Sequence, residues 1–509
     1  TGLDFLTQYT ITNKTLVNLT VDYNSTGAQS VNALNYGSLA ISGARGANNV
    51  SFPNGGTVRV AGAFNPAATF TSGGYITANN TFVYNGSAPQ TAPAFRHAYL
   101  TLTNASGVSM GGNVTVDSTL TLTSGTFTVG ANTLTLNGRP IAGTSTNLSA
   151  GATSNLVYNS SYAGTFIPSS VSTLNNLTVS VQPGSNKVTH SGALTINGTL
   201  TLADGIFDNM PATPDTLFVN STGTVVRVNG RIRGALRQYV PTGSPTIYYP
   251  VGGNDLLTPA EIQFNNVTVA GYVTLRMVFG DHPQIATSGI DPNKSENRHH
   301  IFKPNGVTFT SYNVRLGFGG TLGDMDAGAT PANFIVRRYD GSNWFATSVG
   351  ARTDTSTTAT SLTQFGQFQV GEQLVKTWDE GAATNNWGDA ANWNPDGIPT
   401  SLEDVSLTGA NTININVPAS ANSITLNNSG LTVTILSGNS LTAAGNLTIA
   451  SGTLNTETSF PTVGGTVTLS GGTVGYTASS GSQTVAAQPY ASLTISGGGT
   501  KTLAGNITP

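Results

Sequence analysis

The most constraining feature of this chain is a run of apolar pairs between Asn113 and Gly138. In each pair, one polar residue separates the two apolar ones. The pairs are Val114 and Val116, Leu120 and Leu122, Phe127 and Val129, and Leu134 and Leu136. Apolar residues at positions i and i+2 are typical of short strands with one buried face, and the Gly, Ser, Asn and Asp residues between the pairs favour tight turns.

Strands this short cannot bury enough surface alone, so they must stack on one another. If three strand–turn units form one coil, a coil takes about 20 residues and packs on the next coil. No long stretch shows the i, i+3, i+4 apolar pattern of a helix. The sequence therefore predicts an all-β fold built from a right-handed parallel β-helix, or β-solenoid.

A longer repeat supports this interpretation. Each copy begins with an apolar residue, any residue and Tyr, continues through a polar turn and a weak strand, and ends in Leu-x-apolar followed by Ser or Thr. The anchoring tyrosines are Tyr23, Tyr84, Tyr158 and Tyr476. The first three are spaced at roughly three coils each, as expected when a repeat comprises whole coils.

Changes in composition divide the chain into three predicted segments. We expect a parallel β-helix over 1–229 and a second one over 377–509, which we expect to continue beyond residue 509. Between them, residues 230–376 hold just over half of the Lys, Arg, Asp and Glu residues and have longer alternating strands. Such strands suit an antiparallel β-sandwich with a solvated face, inserted between the two solenoid segments.

The third segment opens with a tryptophan-rich block that contains Trp378, Trp387 and Trp393. The first coil of a β-helix exposes its apolar interior and its unpaired edge groups, so it needs a cover. The block is therefore predicted to be an N-terminal cap.

Composition also argues against several classes of protein. Charged residues make up 8% of the chain, the net charge is −3, and no basic patch suggests nucleic-acid binding. The chain has no run of 18 apolar residues, so the sequence predicts no membrane-spanning helix. The absence of cysteine excludes disulfides and Cys-ligated metal sites.

One stretch concentrates ionisable residues and includes three of the five histidines, at 282, 299 and 300. The candidate metal ligands are Asp281, His282, His299 and His300, because His and carboxylate ligands suit Zn²⁺ or a similar ion. The alternative is a polar loop without metal. Downstream, the sequence GDMDAG at 323–328 resembles part of a calcium loop, and the alternative there is a turn capped by Asp.

The chain offers little that indicates catalysis. Asp117, Asp204, Asp208 and Asp215 are scattered among turns, whereas polysaccharide-cleaving β-helices need a cluster of functional groups on one face. No Ser-His-Asp order, phosphate-binding loop or dinucleotide motif is present. We therefore expect no enzyme activity and no cofactor.

Two further features suggest side-chain contacts, one with a ligand and one between coils. Trp344 follows a predicted hairpin turn and is a candidate for stacking on a sugar, with core packing as the alternative. Many Asn residues precede strands, where stacked amides can form ladders between coils.

At these motifs the sequence resembles known surface proteins. The Trp378–Trp387–Trp393 block, followed by PTSLEDVSL, resembles the opening motif of β-helical surface proteins in autotransporter-like and Bacteroidota families. The module YASLTISGGGTKTLAGNIT resembles repeats of large Bacteroidota cell-surface proteins exported by the type IX secretion system. The segment with RGALRQYV, IYYPVGG and VRRYDGSNW is similar to the β-sandwich found among such repeats.

This resemblance implies an extracellular, surface-attached adhesin-like or fibrous protein of a bacterial cell. It also implies O-glycosylation at Ser118 and Thr216, which follow Asp in the Asp-Ser/Thr-x pattern of that group. The expected partners are glycans, a host or neighbouring cell surface, or further copies of the chain.

Our first functional hypothesis is a structural or adhesive stalk that holds binding surfaces away from the cell. One alternative is a carbohydrate-binding or polysaccharide-cleaving β-helix, which would show converging carboxylates on one face. The other is a subunit that polymerises end to end into a filament.

Overall fold

The structure is a computed structural model that describes residues 4–9, 15–210, 216–319 and 323–507. The regular secondary structure of the described chain is almost entirely β-strand, which confirms the predicted all-β class. Its helices are one α-helix, Phe5–Gln8, and four single 3₁₀ turns: Ser145–Asn147, Ile285–Thr287, Pro331–Asn333 and Ala390–Asn392. None of the helices in these ranges is long and apolar enough to cross a membrane.

The predicted parallel β-solenoid is present, with about 23 turns. Val116 pairs with Leu136 and Leu136 pairs with Tyr158, so these coils take 20 and 22 residues. Contacts divide the chain into two compact units, which are described separately. The first unit comprises Thr1–Val278 and His300–Gly317, and the second comprises Phe279–His299 and Phe318–Pro509.

The first unit contains most of the parallel strands. Its longest sheet runs in chain order through Leu16–Tyr23, Asn35–Ile41, Thr57–Val60, Thr81–Tyr84, Phe95–Leu102, Val114–Leu122, Thr133–Leu136, Asn155–Tyr158, Asn176–Ser180, Thr199–Asp204 and Thr224–Arg227, with Phe64–Pro66 and Ala142–Gly143 at its side. Shorter sheets complete the coils. They are Gln29–Ser30, Val50–Ser51 and Tyr75–Ile76; Gln90–Ala92, Val108–Met110, Phe127–Thr128 and Leu148–Ser149; Thr165–Ile167, Lys187–His190, Ile206–Asp208 and Arg231–Arg233; and Thr173–Leu174, Leu194–Ile196, Thr216–Val219 and Ala235–Val240.

The apolar pairs face the interior of these coils, as the alternation predicts. All eight residues of the pairs between Asn113 and Gly138 are at most 5% exposed. Each buried aliphatic side chain contributes about 1.5–3 kcal/mol through the apolar surface that it removes from water. The stack therefore supplies the burial that a single short strand lacks.

The first unit also has antiparallel pairs. Ala235–Val240 pairs with Gly271–Phe279, which has Arg298–Asn305 as its next neighbour. Ala260–Phe264 lies between Thr246–Tyr249 and Tyr312–Gly317, and Val267–Val269 pairs with Thr308–Phe309.

The second unit begins with antiparallel strands. Gln367–Gln373 pairs with Phe334–Tyr339 and with Ile290–Ser295. Phe334–Tyr339 pairs with Trp344–Ala346, and Ser348–Thr353 pairs with Ser356–Leu362. The predicted middle segment, 230–376, thus holds the longer antiparallel strands and contributes residues to both compact units.

Parallel coils return after these strands. The main sheet of this part runs through Trp393–Asn394, Val375–Trp378, Asp404–Leu407, Ile424–Ile435, Leu447–Thr456, Thr473–Tyr476 and Ser492–Ile495, with Thr412–Ile415 and Val467–Leu469 at its side. The smaller sheets are Ala419–Ala421, Leu441–Ala443 and Thr462–Val463, and Ser482–Val485 with Thr500–Leu503.

The predicted tryptophan block packs into the apolar core of these coils. Trp387 and Trp393 are fully buried, with ring centroids 4.5 Å apart, and Trp378 lies 5.1 Å from Trp393. The Trp393 indole nitrogen donates a hydrogen bond to the Trp387 carbonyl oxygen at 3.0 Å. The cluster lies beside the first parallel strand pair, Val375–Trp378 with Asp404–Leu407, where the prediction placed a cover.

The anchoring tyrosines of the long repeat all point inward, and each is at most 3% exposed. Two of the copies also contain a buried glutamine clamp that sequence reasoning missed. Gln90 and Gln483 each accept a hydrogen bond from a nearby backbone N–H, of Gly86 and Ala478 respectively. Each side-chain amide group also donates to two carbonyl oxygens of the preceding coil.

The two clamps have the same geometry. Gln90 donates to the carbonyls of Val60, which pairs with Tyr84, and of Gly62, two residues further on, at 2.9 and 2.7 Å. Gln483 donates to the residue that pairs with Tyr476 and to the residue two positions further on, at 2.7 and 3.0 Å. In each clamp one carbonyl, of Val60 or Thr456, also accepts a backbone bond from the next coil, so the glutamine is its second donor. The other carbonyl, of Gly62 or Thr458, lies past the regular strand pairing, and a buried carbonyl without a partner would be costly.

We predict that Gln90→Ala destabilises the protein by about 3 kcal/mol, because the carbonyls of Val60 and Gly62 and the N–H groups that bond the Gln90 oxygen lose a buried partner. Chemical denaturation followed by circular dichroism measures the effect. The matched control is Gln263→Ala, since Gln263 is an exposed strand residue. Equal midpoints for the two variants would contradict the clamp.

An aromatic cluster in the first unit encloses one histidine. His97 is 1% exposed, and its ring centroid lies 5.0 Å from that of Phe82 and 4.9 Å from that of Phe95. Burial lowers the pKa of His97 to about 3, because the charged imidazolium would lose its hydration. His97 is therefore neutral in the folded protein at physiological pH.

This burial predicts an acid-sensitive contribution to stability. The pKa of His97 is about 6.5 in the unfolded chain and about 3 in the folded chain, so the unfolded chain binds more protons between these values. The free energy of unfolding should fall by about 1.4 kcal/mol per pH unit as the pH drops below 6.5. His97→Leu should remove this slope while other titrating groups contribute equally to both proteins. Parallel pH profiles for the two proteins would refute the assignment.

Candidate functional site

The predicted metal ligands do not form a ligand set. In the second unit, Asp281 accepts a hydrogen bond from the Ser295 hydroxyl at 2.9 Å, and His299 Nδ1 donates to the Gly280 carbonyl at 3.0 Å. His300 belongs to the first unit and is fully buried. Within the described ranges, no group of three or more His, Cys, Asp or Glu residues could hold a metal ion. The geometry therefore does not support the metal centre expected at Asp281, His282, His299 and His300.

The His282 ring uses both of its nitrogens in contacts with protein groups. Its Nε2 lies 3.0 Å from the Gln367 side-chain oxygen, and its Nδ1 accepts a hydrogen bond from the Gln284 N–H at 3.1 Å. The ring packs against those of Tyr339 and Trp344, at 4.7 and 4.8 Å between centroids. Burial lowers the pKa of His282, and the nearby His299 lowers it further.

Trp344 completes this packed cluster. Its indole nitrogen donates to the Gln284 carbonyl at 2.9 Å, and its rings lie 5.0 Å from Tyr339. The residue is 8% exposed, which leaves little surface on which a sugar ring could stack. Its position favours the core-packing alternative, and ligand contact remains a prediction.

The calcium-like turn also uses its carboxylates internally. Asp324 forms an ion pair with Arg298 and accepts a hydrogen bond from the Gly319 N–H. Asp326 accepts one from the Ser295 N–H at 2.8 Å. This arrangement agrees with the alternative of an Asp-capped turn.

The proposed glycosylation residues lie on parallel strands. Ser118 is half-buried in Val114–Leu122, and its carbonyl oxygen accepts a hydrogen bond from Arg139 N–H at 2.7 Å. A Cβ on the neighbouring Gly138 would lie 2.0 Å from that oxygen, so this close approach requires glycine. Thr216 is half-buried and pairs with Ala235. Glycosylation of either residue remains a prediction.

The four scattered carboxylates stay apart where the structure describes them. Asp204 ends Thr199–Asp204, whereas Asp208 ends Ile206–Asp208 in a different sheet. Asp208 lines a cavity of about 470 Å³ together with His190, and it pairs with Arg233 at 2.8 Å and with Lys187 at 3.4 Å. Asp215 lies outside the described residues.

A second cavity, of about 550 Å³, follows successive coils of the first unit. We call it the polar groove, and it is lined by Arg96, Asp117, Asn137, Asn159, Ser160, Ser161, Ser180 and Gln182. Four of these residues come directly after the inward-facing, mutually paired Val116, Leu136, Tyr158 and Val179. The register of the coils therefore places Asp117, Asn137, Asn159 and Ser180 in one row, with a step of about 4.8 Å.

Hydrogen bonds connect this row from coil to coil. Arg96 Nε donates to Asp117 at 2.7 Å, Asn137 Nδ2 donates to the same carboxylate at 2.8 Å, and Asn159 Nδ2 lies 3.4 Å from the Asn137 oxygen. At the far end, Gln182 donates to Asp204 at 3.0 Å. This row follows strands, whereas the prediction placed stacked amides before strands; amides do meet in that way at Asn155, whose side-chain oxygen accepts bonds from Asn175 and Asn176 at 3.0 and 2.7 Å.

An exposed tyrosine comes directly after two residues that line the polar groove. Tyr162 follows the lining residue Ser161 and is 41% exposed, and the Arg139 guanidinium lies 5.0 Å from the centre of its ring. The Ser160 hydroxyl accepts a hydrogen bond from the Tyr162 N–H at 3.0 Å and donates one to the Gly138 carbonyl at 2.5 Å. These bonds fix the backbone that carries the ring.

Comparison of the chain with protein-family models, curated proteins and solved structures finds no match.

Because the histidines contact other protein groups, we predict that the stability of the protein does not depend on a bound metal ion. Treatment with EDTA, followed by addition of Zn²⁺, should leave the thermal melting curve unchanged, because an ion bound to the native state would stabilise it by mass action. A loss of stability in EDTA that Zn²⁺ restores, and that His299→Ala abolishes, would contradict this.

Proposed function

We propose that this protein is a non-enzymatic structural or adhesive protein of the bacterial cell surface. In this proposal, the stacked coils act as a spacer and their outer faces supply binding surfaces. The observation that carries the proposal is the ladder from Leu16–Tyr23 to Thr224–Arg227, in which each strand bonds the strand of the next coil. A repeat of this kind gains about 4.8 Å in length with each added coil.

The composition of the outer face supports this role. With 8% charged residues, the chain covers its coils mainly with Thr, Ser, Asn and Gly. These side chains hydrogen-bond to water and to neighbouring coils without a strong electric field. Such a surface suits a passive spacer better than a site that stabilises developing charge.

The carboxylates also favour a non-enzymatic role over a polysaccharide-cleaving one. Asp117 and Asp204 lie at the same corner but four coils apart, a separation of about 19 Å at the usual strand spacing. Paired glycosidase carboxylates lie about 5–9.5 Å apart. Asp208 is paired with the cations Lys187 and Arg233.

The sequence resemblance supports the cellular placement, and we extend the proposal to export by a type IX system in a Bacteroidota cell. We also propose that the antiparallel strands between 230 and 376 form a β-sandwich inserted between solenoid segments. Their longer strands and their share of the charged residues support this arrangement.

Protease treatment of intact cells tests the placement. Peptides from the chain should be released into the medium while a cytoplasmic marker protein stays intact. A strain without the gene, treated in the same way, controls for peptides of other origin. If the chain is cleaved only after lysis, the surface role is wrong.

A further inference from the structure

We propose that the polar groove binds a neutral, linear glycan whose sugar residues lie on successive coils, with Tyr162 as a stacking surface. This inference rests on the proposed function, because it names the ligand class that one outer face of the protein would hold.

The first argument is the periodic chemistry of the groove. Asn137, Asn159, Ser180 and Gln182 offer amide and hydroxyl groups, which both donate and accept hydrogen bonds. Asn159 and Gln182 are exposed, so ligand contact costs them little reorganisation. A linear glycan presents hydroxyl groups at a repeat comparable to the step between coils, so one ligand could meet the same chemistry at each sugar.

The second argument is the exposed aromatic ring of Tyr162, which directly follows the lining residues Ser160 and Ser161. A tyrosine combines an apolar face with a hydroxyl group, which suits a ligand whose ring faces are apolar and whose edges are polar. Tyr162 is 41% exposed, and Arg139 lies against its ring. The Tyr162 N–H donates a hydrogen bond to the Ser160 hydroxyl, so this backbone is ordered before any ligand binds. Binding therefore loses less conformational entropy.

The third argument is charge. Arg96 and Asp117 form an ion pair in the groove, so their charges largely cancel for a ligand lying across both. Polyanions such as nucleic acids need rows of unpaired cations, whereas Arg96 is the one cation among the described residues that line the groove, and it is paired. The balance therefore favours a neutral glycan over an acidic one.

Isothermal titration calorimetry of the full chain tests the proposal, with cellohexaose, chitohexaose, mannohexaose and maltohexaose as neutral probes and hexagalacturonate as the acidic probe. At least one neutral hexasaccharide should bind. Tyr162→Ala should weaken that binding about 3- to 10-fold, the loss expected for one aromatic contact. Asn159→Ala should weaken it in the same direction.

The matched control is Phe345→Ala. Phe345 has the same 41% exposure as Tyr162 and a similar arginine contact, with Arg338 at 4.5 Å, but it lies in the second unit. This variant should bind as the wild type does. Denaturation midpoints close to the wild-type value should show that all three variants are folded.

Three results would overturn the assignment: no neutral probe binds at millimolar concentration, hexagalacturonate binds more tightly than every neutral probe, or Tyr162→Ala binds as tightly as the wild type. If the glycan-binding test fails but protease still cleaves the chain on intact cells, only the groove proposal is wrong and the cell-surface role is retained. Conversely, a chain that binds glycan but resists protease until lysis overturns the surface role alone.

Discussion

Hydrogen bonding between successive coils is the constraint on which the rest of the parallel structure depends. Each short strand forms bonds to the coil before it and the coil after it, so its backbone is satisfied only within the stack. This requirement also fixes where small residues must lie. Gly138 meets the Ser118 carbonyl so closely that a Cβ would lie 2.0 Å from it. The same register stacks Val116, Leu136 and Tyr158 on the inner side of the coils.

The interior is not purely apolar, and its polar members show how irregular turns are accommodated. Tyr84 and Tyr476 bring large rings into the core, and each is the last residue of its strand. Gln90 and Gln483 connect the coils at this point by donating to two carbonyls of the preceding coil. His97 is the opposite case, because burial among aromatic rings keeps it neutral at the expense of acid stability. The buried glutamines thus connect neighbouring coils, whereas the buried histidine makes the stability of the packing depend on pH.

The outer face follows from the same register. A polar residue placed just after an inward-facing one recurs at the same corner of the next coil. Asp117, Asn137 and Asn159 therefore form a row as a direct result of the register between coils. The antiparallel strands have no such repeat. There, several ionisable residues are buried, and His282 packs against Trp344 while its ring nitrogens face protein partners. A row of small polar groups is accordingly a better candidate for a binding surface than the histidine-rich stretch.

The sequence by itself determined the architecture of the coils, because period-two pairs such as Leu134 and Leu136 leave one face to bury and neighbouring coils to bury it against. It also indicated amide contacts between coils at Asn residues that precede strands, although not the row that follows strands. Only the tertiary structure decided the sites. The histidines at 282 and 299 are close in space, but neighbouring backbone and side-chain groups occupy them as hydrogen-bond partners. The groove needed Asp117 and Gln182, 65 positions apart, to come to the same face. Periodicity specifies which way a side chain points, whereas a site depends on which distant residues the stacking brings beside it.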